Sequence, residues 1–359
     1  MTRRILAVRL DNDGDVLLTG PAVRALAADG ARVDLLVAPS GLAAAHLLPQ
    51  VGDVLLFDPP WSGFDSPATD PDTVQALVTQ LRERSYDEAV IFTSFHQSPL
   101  PMALLCRLAR VTRVVATSED YPGSLLDVRG RRMADGAADD GGPDGGHEVT
   151  AALALAEAAG HVLTPGDDGR LRLRTPLPVA PAGLPSTPYV VVHPSASVPA
   201  RSLDPAHARA VVTALVGDGW PVVVTGGPGD RDAAAYATSP NAVDLAGRTD
   251  LAELAAVLRG AEAVVVGNTG PAHLAAAVGT PVVSLFAPVV PAARWHPWGV
   301  PYVLLGDQEA ACRGTRSRQC PTPGHPCLST VSPRRVVAAV RELVGGASPR
   351  HVPLSEGAP

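Results

Sequence analysis

Residues 264–286 contain the clearest pattern of side chains that could bind a ligand. Three valines, typical of a parallel strand covered on both faces, lead into the small-residue turn GNTG at residues 267–270. Pro271 suits the first position of a helix, and His273 follows one turn in. Free N–H groups at a helix start, together with a hydroxyl and a histidine, favour a phosphate or diphosphate. The alternative is a plain strand-to-helix turn.

Three aspartates follow the first apolar run of the chain, at Asp11, Asp13 and Asp15. Their mutual repulsion argues against a phosphate at this turn. They alternate as in a calcium loop, but no glutamate follows at the required later position. A carboxylate at a helix start can act as a general base toward an acceptor hydroxyl, or can cap the helix. We favour the base for Asp15 and a solvated or structural role for Asp11 and Asp13.

Two further turns in the second half of the chain carry hydroxyls, glycines and a cation. The sequence HPSAS contains Ser195 and Ser197, and Arg201 follows shortly after. Hydroxyls and an arginine after a strand can hold a diphosphate as it leaves, although Arg201 can equally lie on the surface. The turn TGGPGD contains Gly227, which would admit a flat nucleoside or only make a tight turn.

The cysteines allow two interpretations. Cys106 lies in an apolar helical segment and is expected to be a small buried hydrophobe. Cys312, Cys320 and Cys327, with His325 nearby, have the composition of a Cys₃His zinc site but lack paired CxxC spacing. Free thiols in a tail loop are therefore favoured over a structural metal, and no metal or cofactor is predicted.

Alternating helices and strands position these turns. Strands are predicted at residues 5–10, 32–37, 54–57, 88–92 and 114–116, and helices at 21–28, 73–84, 102–109 and 147–159. The pattern restarts with strands at 189–192, 221–225, 264–266 and 282–286, and helices at 205–218, 230–238, 251–259 and after 270. Five prolines between residues 169 and 188 indicate the connection, and residues 135–146 a flexible surface loop.

This alternation predicts an α/β fold of two Rossmann-like domains, residues 1–175 and 185–345. Ligands of such sheets bind beyond the carboxyl ends of the strands, so a ligand shared by both halves is expected in the cleft between them.

Composition narrows the class of protein. The chain has 359 residues, 46% of them hydrophobic, and a net charge of −7 that gives no basic field for nucleic acid. The first apolar run is broken at Arg9 and followed by acids, so it is a strand rather than a signal peptide. No apolar stretch is long enough to span a bilayer. A cytoplasmic protein is expected, with peripheral membrane association left open.

The order of the motifs resembles glycosyltransferase family 9, the ADP-heptose heptosyltransferase group. The resemblance is carried by a GD turn after the first strand, HPSAS, TGGPGD, LAGRTDLAELAAVL, GNTGPAHLAAAVGTPVVSLFAP and a cysteine-bearing tail. It covers nearly the whole chain, most strongly residues 245–288 and least residues 57–146. It implies a GT-B fold, with two facing Rossmann-like domains, and metal-independent, inverting transfer from a nucleoside-diphosphate sugar to a glycan or small-molecule acceptor.

The resemblance also implies roles for particular residues. Asp15 matches the catalytic base, with Asp13 and Gly14 beside it in the acceptor-side loop. The residues expected to bind the donor are Ser195, Ser197, Arg201, Gly227, Asn268, Thr269, Gly270 and His273.

Three departures from the family pattern concern the donor. Asn268 stands where members usually have an aspartate expected to touch the donor sugar; Asn keeps the hydrogen-bond acceptor and loses the charge. Arg201 stands where heptosyltransferases often have lysine. Pro228 or its neighbours replace an acidic residue that helps bind the nucleoside in some members. ADP-heptose is thus one donor among several nucleotide sugars that the resemblance allows.

Two other functions fit the same motifs. A GT-B nucleotide-sugar epimerase or hydrolase would need further acids near the donor, and the sequence reveals no convincing set. A non-catalytic nucleotide-sugar-binding protein would keep the donor motifs, and Asp15 would be dispensable.

Overall fold

The chain divides between Arg174 and Thr175 into two α/β units in a computed structural model. The structure describes residues 2–63, 66–94, 97–131 and 146–345. The division falls within the proline-rich stretch predicted as the connection. Residues 135–145 of the predicted flexible loop lie outside the described residues.

Unit 1, up to Arg174, is built on a parallel sheet. Its six described strands are β1 (Arg4–Arg9), β2 (Arg32–Val37), β3 (Val51–Leu56), β4 (Glu88–Phe92), β5 (Arg113–Thr117) and β6 (Val128–Gly130), in the order β3-β2-β1-β4-β5-β6. The helices described in this unit are α1 (Asp13–Ala27), α2 (Leu42–Leu47), α3 (Pro71–Arg84), α4 (Leu100–Leu108) and α5 (Glu148–Ala158). The central strand β1 is apolar and buried from Ile5 to Val8, as expected of a strand covered on both faces.

Unit 2, from Thr175, repeats this topology. Its described strands are β7 (Val190–His193), β8 (Val222–Val224), β9 (Ala242–Asp244), β10 (Ala263–Gly267), β11 (Val282–Leu285) and β12 (Tyr302–Leu305), all parallel, in the order β9-β8-β7-β10-β11-β12. The helices are α6 (Pro205–Gly217), α7 (Arg231–Ala237), α8 (Leu251–Arg259), α9 (Gly270–Ala277), α10 (Ala292–Trp295), α11 (Pro326–Ser329) and α12 (Pro333–Val344). No helix in the described part of the chain is long and apolar enough to cross a membrane.

Both sheets reverse their strand order at one point. In unit 1 the reversal lies between β1 and β4, and in unit 2 between β7 and β10. The connections on either side of such a point diverge and leave a crevice beyond the carboxyl ends of the two strands. The aspartate turn follows β1, while the HPSAS loop and the GNTG turn follow β7 and β10. The fold therefore places the predicted residues of these three turns at the reversal point of their own unit, whereas Gly227 follows β8.

The predicted start of the first helix at residue 21 is wrong. Helix α1 begins at Asp13, and the Asn12 side chain accepts a hydrogen bond from the Gly14 N–H at 3.0 Å. Asn is among the best residues for this capping position. Pro21 lies inside α1 and removes one helical hydrogen bond, a cost that the buried residues around it offset. Strands β6, β9 and β12 were not predicted.

An ion pair between Arg24 and Asp167 joins α1 to the segment after α5. Arg24 Nε donates to Asp167 Oδ2 at 2.7 Å, and Nη2 donates to Oδ1 at 2.8 Å. Both side chains are less than a tenth exposed, at 6% and 8%. These hydrogen bonds lower the pKa of Asp167 to about 2.

We expect Asp167→Asn to lower the free energy of unfolding by about 2 kcal/mol at neutral pH, since each pKa unit corresponds to about 1.4 kcal/mol. Because the folded pKa is lowered, the stabilisation is present above the unfolded value near 4 and is lost as pH falls toward 2. Urea unfolding of wild type and variant at pH 7 and pH 3 should show the difference falling by about half. Asp168→Asn, at an exposed neighbour, is the control, and a difference that does not change with pH would contradict the expectation.

Candidate active site

The carboxyl end of β1 is organised around Arg9, whose side chain is 2% exposed. Its Nε lies 2.8 Å from Asp11 Oδ2, and its Nη2 lies 3.1 Å from Asp15 Oδ1 and 3.7 Å from Glu148 Oε2. Nη2 also donates to Ser94 Oγ, just beyond β4, at 2.9 Å. One buried cation thus joins three carboxylates at the reversal point of unit 1.

Asp15 lies in the first turn of α1, and its carboxylate is held from two sides. Arg9 Nη2 donates to Oδ1 at 3.1 Å, and Asn12 Nδ2 donates to Oδ2 at 2.9 Å. Asp15 does not cap the helix, because the capping residue is Asn12. A carboxylate accepts several hydrogen bonds, so Asp15, with its side chain 13% exposed, can also take one from a bound hydroxyl.

The other two aspartates of the turn hold local structure. Asp13 Oδ1 accepts the Ala44 N–H at 2.8 Å, which fastens the start of α2. Asp11 Oδ1 accepts a hydrogen bond from Gln97 Nε2 at 2.6 Å, and burial raises the pKa of Asp11 to about 6. These contacts fit the structural roles expected of Asp11 and Asp13. In the described part of the chain no three His, Cys, Asp or Glu side chains are placed to hold a metal ion.

Four residues of this cluster were missed by the sequence analysis: Arg9, Ser94, Gln97 and Glu148. Arg9 did carry a signal, because a charged residue directly ends the apolar run Ile5–Val8 of the central strand. Nothing in the local sequence marks Glu148, which begins α5 far along the chain and has its side chain only 1% exposed.

In unit 2, His193 lies at the carboxyl end of β7. Its Nδ1 is 2.9 Å from Thr225 Oγ1, at the end of the neighbouring β8. Burial lowers the pKa of His193 to about 4, so the ring is neutral at pH 7. The loop after it is closed by Ser202, whose Oγ accepts the Ala196 N–H at 2.9 Å. The neutral ring and the fixed loop place polar groups at this edge of the sheet.

The HPSAS loop packs against the turn after β10. A Cβ added to Gly267 would lie 2.5 Å from the Arg201 carbonyl oxygen, so this approach requires glycine. Ser195 and Arg201 are half-buried, and Ser197 is exposed. The structure therefore brings the backbone of Arg201 against the start of the GNTG turn. Gly227 differs from them, because its N–H is already paired with Asp230 Oδ2 at 2.7 Å.

The GNTG turn leads into α9 with Thr269 as the residue before the helix. The Thr269 side chain makes no capping hydrogen bond at this helix start. Pro271 has no N–H, and the Ala272 N–H donates to the Thr269 carbonyl oxygen at 3.0 Å, which leaves the Gly270 N–H without a partner among the described residues. Gly270 and Pro271 open the helix, and His273 follows, 4% exposed. This is the geometry in which helices bind anions.

Asn268 uses its side chain within the protein. Its Nδ2 donates to the Ala287 carbonyl oxygen and its Oδ1 accepts the Ala287 N–H, both at 3.1 Å. The side chain is 5% exposed and ties the turn to the loop after β11. One N–H and one lone pair remain for other partners, so a contact with the donor sugar stays a prediction.

Comparison with known sequences identifies the family. Residues 143–325, just over half of the chain, match the family described as Glycosyltransferase family 9 (heptosyltransferase). The chain belongs to glycosyltransferase family 9. Lipopolysaccharide heptosyltransferase 3 of Escherichia coli is 33% identical over 165 residues, 44% of this chain and 47% of the relative. The protein of the same name from strain K12 is 36% identical over 117 residues, 31% of this chain and 33% of the relative. The matched regions thus span less than half the length of these family 9 relatives.

Solved structures with the same fold include heptosyltransferases. The ADP-heptose lipopolysaccharide heptosyltransferase II of E. coli has a TM-score of 0.68 at 20% identity, with 95% of this chain and 98% of that one covered. A glycosyl transferase family 9 protein of Veillonella parvula has a TM-score of 0.72 at 17% identity, covering 95% and 97%. E. coli heptosyltransferase WaaC with ADP has a TM-score of 0.63 at 19% identity, covering 94% and 97%. The predicted α/β fold class, GT-B with Rossmann-like domains, is confirmed.

The cysteines of this family 9 chain are buried or half-buried thiols. Burial raises the pKa of Cys106, within α4, to about 12. Cys312 and Cys327 are buried in the core of unit 2, with Cys320 packed against it. Burial also raises the pKa of Cys327 to about 12, which favours the neutral thiol. Cys327 lies near Cys312 and Cys320, and no group of three His, Cys, Asp or Glu placed to hold a metal ion is found among the described residues.

Proposed function

We propose that this member of family 9 is an inverting, metal-independent glycosyltransferase. It would transfer a heptose from a nucleoside diphosphate, ADP-heptose as the first candidate, to an acceptor hydroxyl of a glycan or small molecule. The observation that carries the proposal is Asp15, a carboxylate held by Arg9 and Asn12 at the carboxyl edge of the unit 1 sheet. Family membership supplies the reaction class.

Asp15 would act as the general base. As the acceptor oxygen attacks the anomeric carbon, its proton passes to the Asp15 carboxylate and the bond from that carbon to the diphosphate oxygen breaks. Attack on the face opposite the leaving group inverts the configuration. A positioned base of this kind contributes roughly 10² to 10⁴-fold to a rate.

Unit 2 would hold the leaving diphosphate. The N–H groups at the start of α9 and the Arg201 guanidinium would balance its charge. Ser195, Ser197 and Thr269 would add hydroxyl donors, while the neutral His193 adds no positive charge. A cationic side chain and a helix start would supply the charge stabilisation in a transfer without a metal.

The acceptor is proposed from the names of the relatives. Two curated relatives are lipopolysaccharide heptosyltransferases, so a heptose-bearing lipopolysaccharide core is the first acceptor to test. An acceptor of that kind is anchored in a membrane, which would require peripheral association of the enzyme. Nucleotide sugars are made in the cytoplasm, and the reaction is proposed to take place there.

The test combines calorimetry with a turnover assay. Wild-type protein is titrated with ADP, GDP, UDP and dTDP, and ADP release from ADP-heptose is then followed with and without lipopolysaccharide core. Tightest binding of ADP with acceptor-dependent release supports the proposal. Release without acceptor favours a hydrolase, binding without release favours a non-catalytic protein, and failure to bind any of the nucleotides would contradict a nucleotide-sugar transferase.

The His273 side chain gives a second test. If it lies against the diphosphate, His273→Ala should weaken ADP binding by roughly 1 to 3 kcal/mol, the usual cost of a lost hydrogen bond to a charged group. Calorimetry with ADP measures this directly. His161→Ala removes an equally buried histidine from unit 1 and should leave ADP affinity unchanged. Equal affinities of His273→Ala and wild type would remove His273 from the donor site.

A further inference from the structure

The cluster around Arg9 contains more negative than positive charge. Among the described residues, the charged groups that face Arg9 are Asp11 in the turn, Asp15 on α1 and Glu148 on α5. One guanidinium therefore serves three carboxylates, and all four side chains are at most 13% exposed. Such a cluster makes the ionisation of each carboxyl depend on the others.

The geometry fixes the guanidinium in one orientation. Its Nη2 is hydrogen-bonded to both Ser94 and Asp15, while its Nε faces Asp11. Gln97 donates to the opposite oxygen of Asp11, and its own Oε1 accepts the Ser94 N–H at 3.0 Å. Asp11, after β1, and Ser94, after β4, therefore hold the Arg9 guanidinium in place. The guanidinium in turn holds the Asp15 carboxylate.

Glu148 enters the cluster from another helix. Helix α5 packs along α1, and its first residue places a carboxylate 3.7 Å from Arg9 Nη2, the same nitrogen that bonds Asp15. This distance is longer than that to Asp15, so Glu148 shares the charge of Arg9 without displacing Asp15. It weakens the effect of the cation on Asp15.

We propose that Arg9 is the positioning residue for Asp15, orienting its carboxylate, and that Glu148 opposes this effect by competing for the same guanidinium nitrogen. The proposal rests on the proposed function, in which Asp15 is the base. An arginine suits this task because its planar fork reaches several partners at once, whereas an ammonium group is a single point of charge.

The first measurement is a titration that needs no substrate. Full-length protein carrying ¹³C at the aspartate carboxyl carbon is titrated by NMR, and the Asp15 and Asp11 signals are assigned with Asp15→Asn and Asp11→Asn. In Arg9→Gln the Asp15 midpoint should rise, because the carboxylate loses the guanidinium that contacts it. In Glu148→Gln the midpoint should fall. Arg24→Gln removes a different buried arginine, which lies on α1, and should leave the Asp15 midpoint unchanged.

A purely structural role for Arg9 makes a different prediction. It would lower thermal stability in Arg9→Gln without moving the Asp15 midpoint, and a folded variant with the wild-type midpoint would overturn the proposal. Midpoints that move in the same direction in Arg9→Gln and Glu148→Gln would also overturn it. If Arg9→Gln does not fold, Glu148→Gln decides, because a midpoint that stays or rises in that variant contradicts the opposing role.

Turnover separates this proposal from the proposed function. Arg9→Lys keeps the charge and should retain the Asp15 midpoint within about half a unit, while ADP release falls roughly tenfold because the fork is lost. If Asp15→Asn retains full turnover, the base assignment fails, whatever the NMR result. If Asp15→Asn is inactive and folded Arg9→Gln turns over at the wild-type rate at every pH, the positioning role fails and the proposed function stands.

Discussion

Replacing Asp15 by asparagine is expected to lower turnover by roughly 100-fold or more while leaving ADP affinity unchanged. The asparagine side chain keeps the size of aspartate and an oxygen that can accept from Arg9, but it cannot take a proton from the acceptor hydroxyl. The loss should therefore appear in kcat rather than in nucleotide binding. ADP release under saturating ADP-heptose and acceptor, together with calorimetry of ADP, measures the two quantities.

Asp13→Asn is the matched control for this experiment. Asp13 lies two residues away, and its Oδ1 accepts the Ala44 N–H, a bond that an asparagine oxygen can also accept. Turnover of this variant should stay near that of wild type. Full turnover of Asp15→Asn would exclude the base, and an equal loss in both variants would show that the turn as a whole, rather than the Asp15 carboxylate, is required.

The second large effect is expected at Asn268. Asn268→Asp replaces the Nδ2 donor by a carboxylate oxygen facing the Ala287 carbonyl, at a side chain 5% exposed. The free energy of unfolding at pH 7 should fall by about 3 kcal/mol, since a buried charged group loses its partner.

The loss of unfolding free energy in Asn268→Asp should depend on pH in a defined direction. Burial beside a carbonyl raises the folded pKa of the new carboxyl above its unfolded value near 4. The destabilisation is therefore largest at neutral pH and shrinks as pH falls toward 4, where the protonated group can again donate. Urea unfolding at pH 7 and pH 4.5 measures it. Asn268→Ser, which carries no charge, should show no such dependence, and a loss that stays constant in Asn268→Asp would contradict the pairing.

Sequence and structure agree most closely where a pattern is local. The helix predicted at residues 251–259 and the strands at 32–37 and 88–92 have their predicted bounds, because each shows hydrophobic periodicity between clear end signals. The first helix shows the opposite case. Pro21 resembles a helix start, while the actual start depends on an Asn12 side chain whose capping bond cannot be distinguished in sequence from a turn.

The sequence by itself determined the α/β class, the strand-turn-helix units and the turns that carry Asp15, His193 and Thr269. These follow from periodicity and small-residue turns within about twenty residues. Only the tertiary structure decided which of these groups meet, because that depends on strand order. Reversal of the order between β1 and β4 brings Ser94 to Arg9 across 85 residues, and the packing of α5 on α1 adds Glu148. The carboxyl ends of parallel strands converge whatever lies between them in the chain, so no local pattern encodes a buried cation and its three carboxylates.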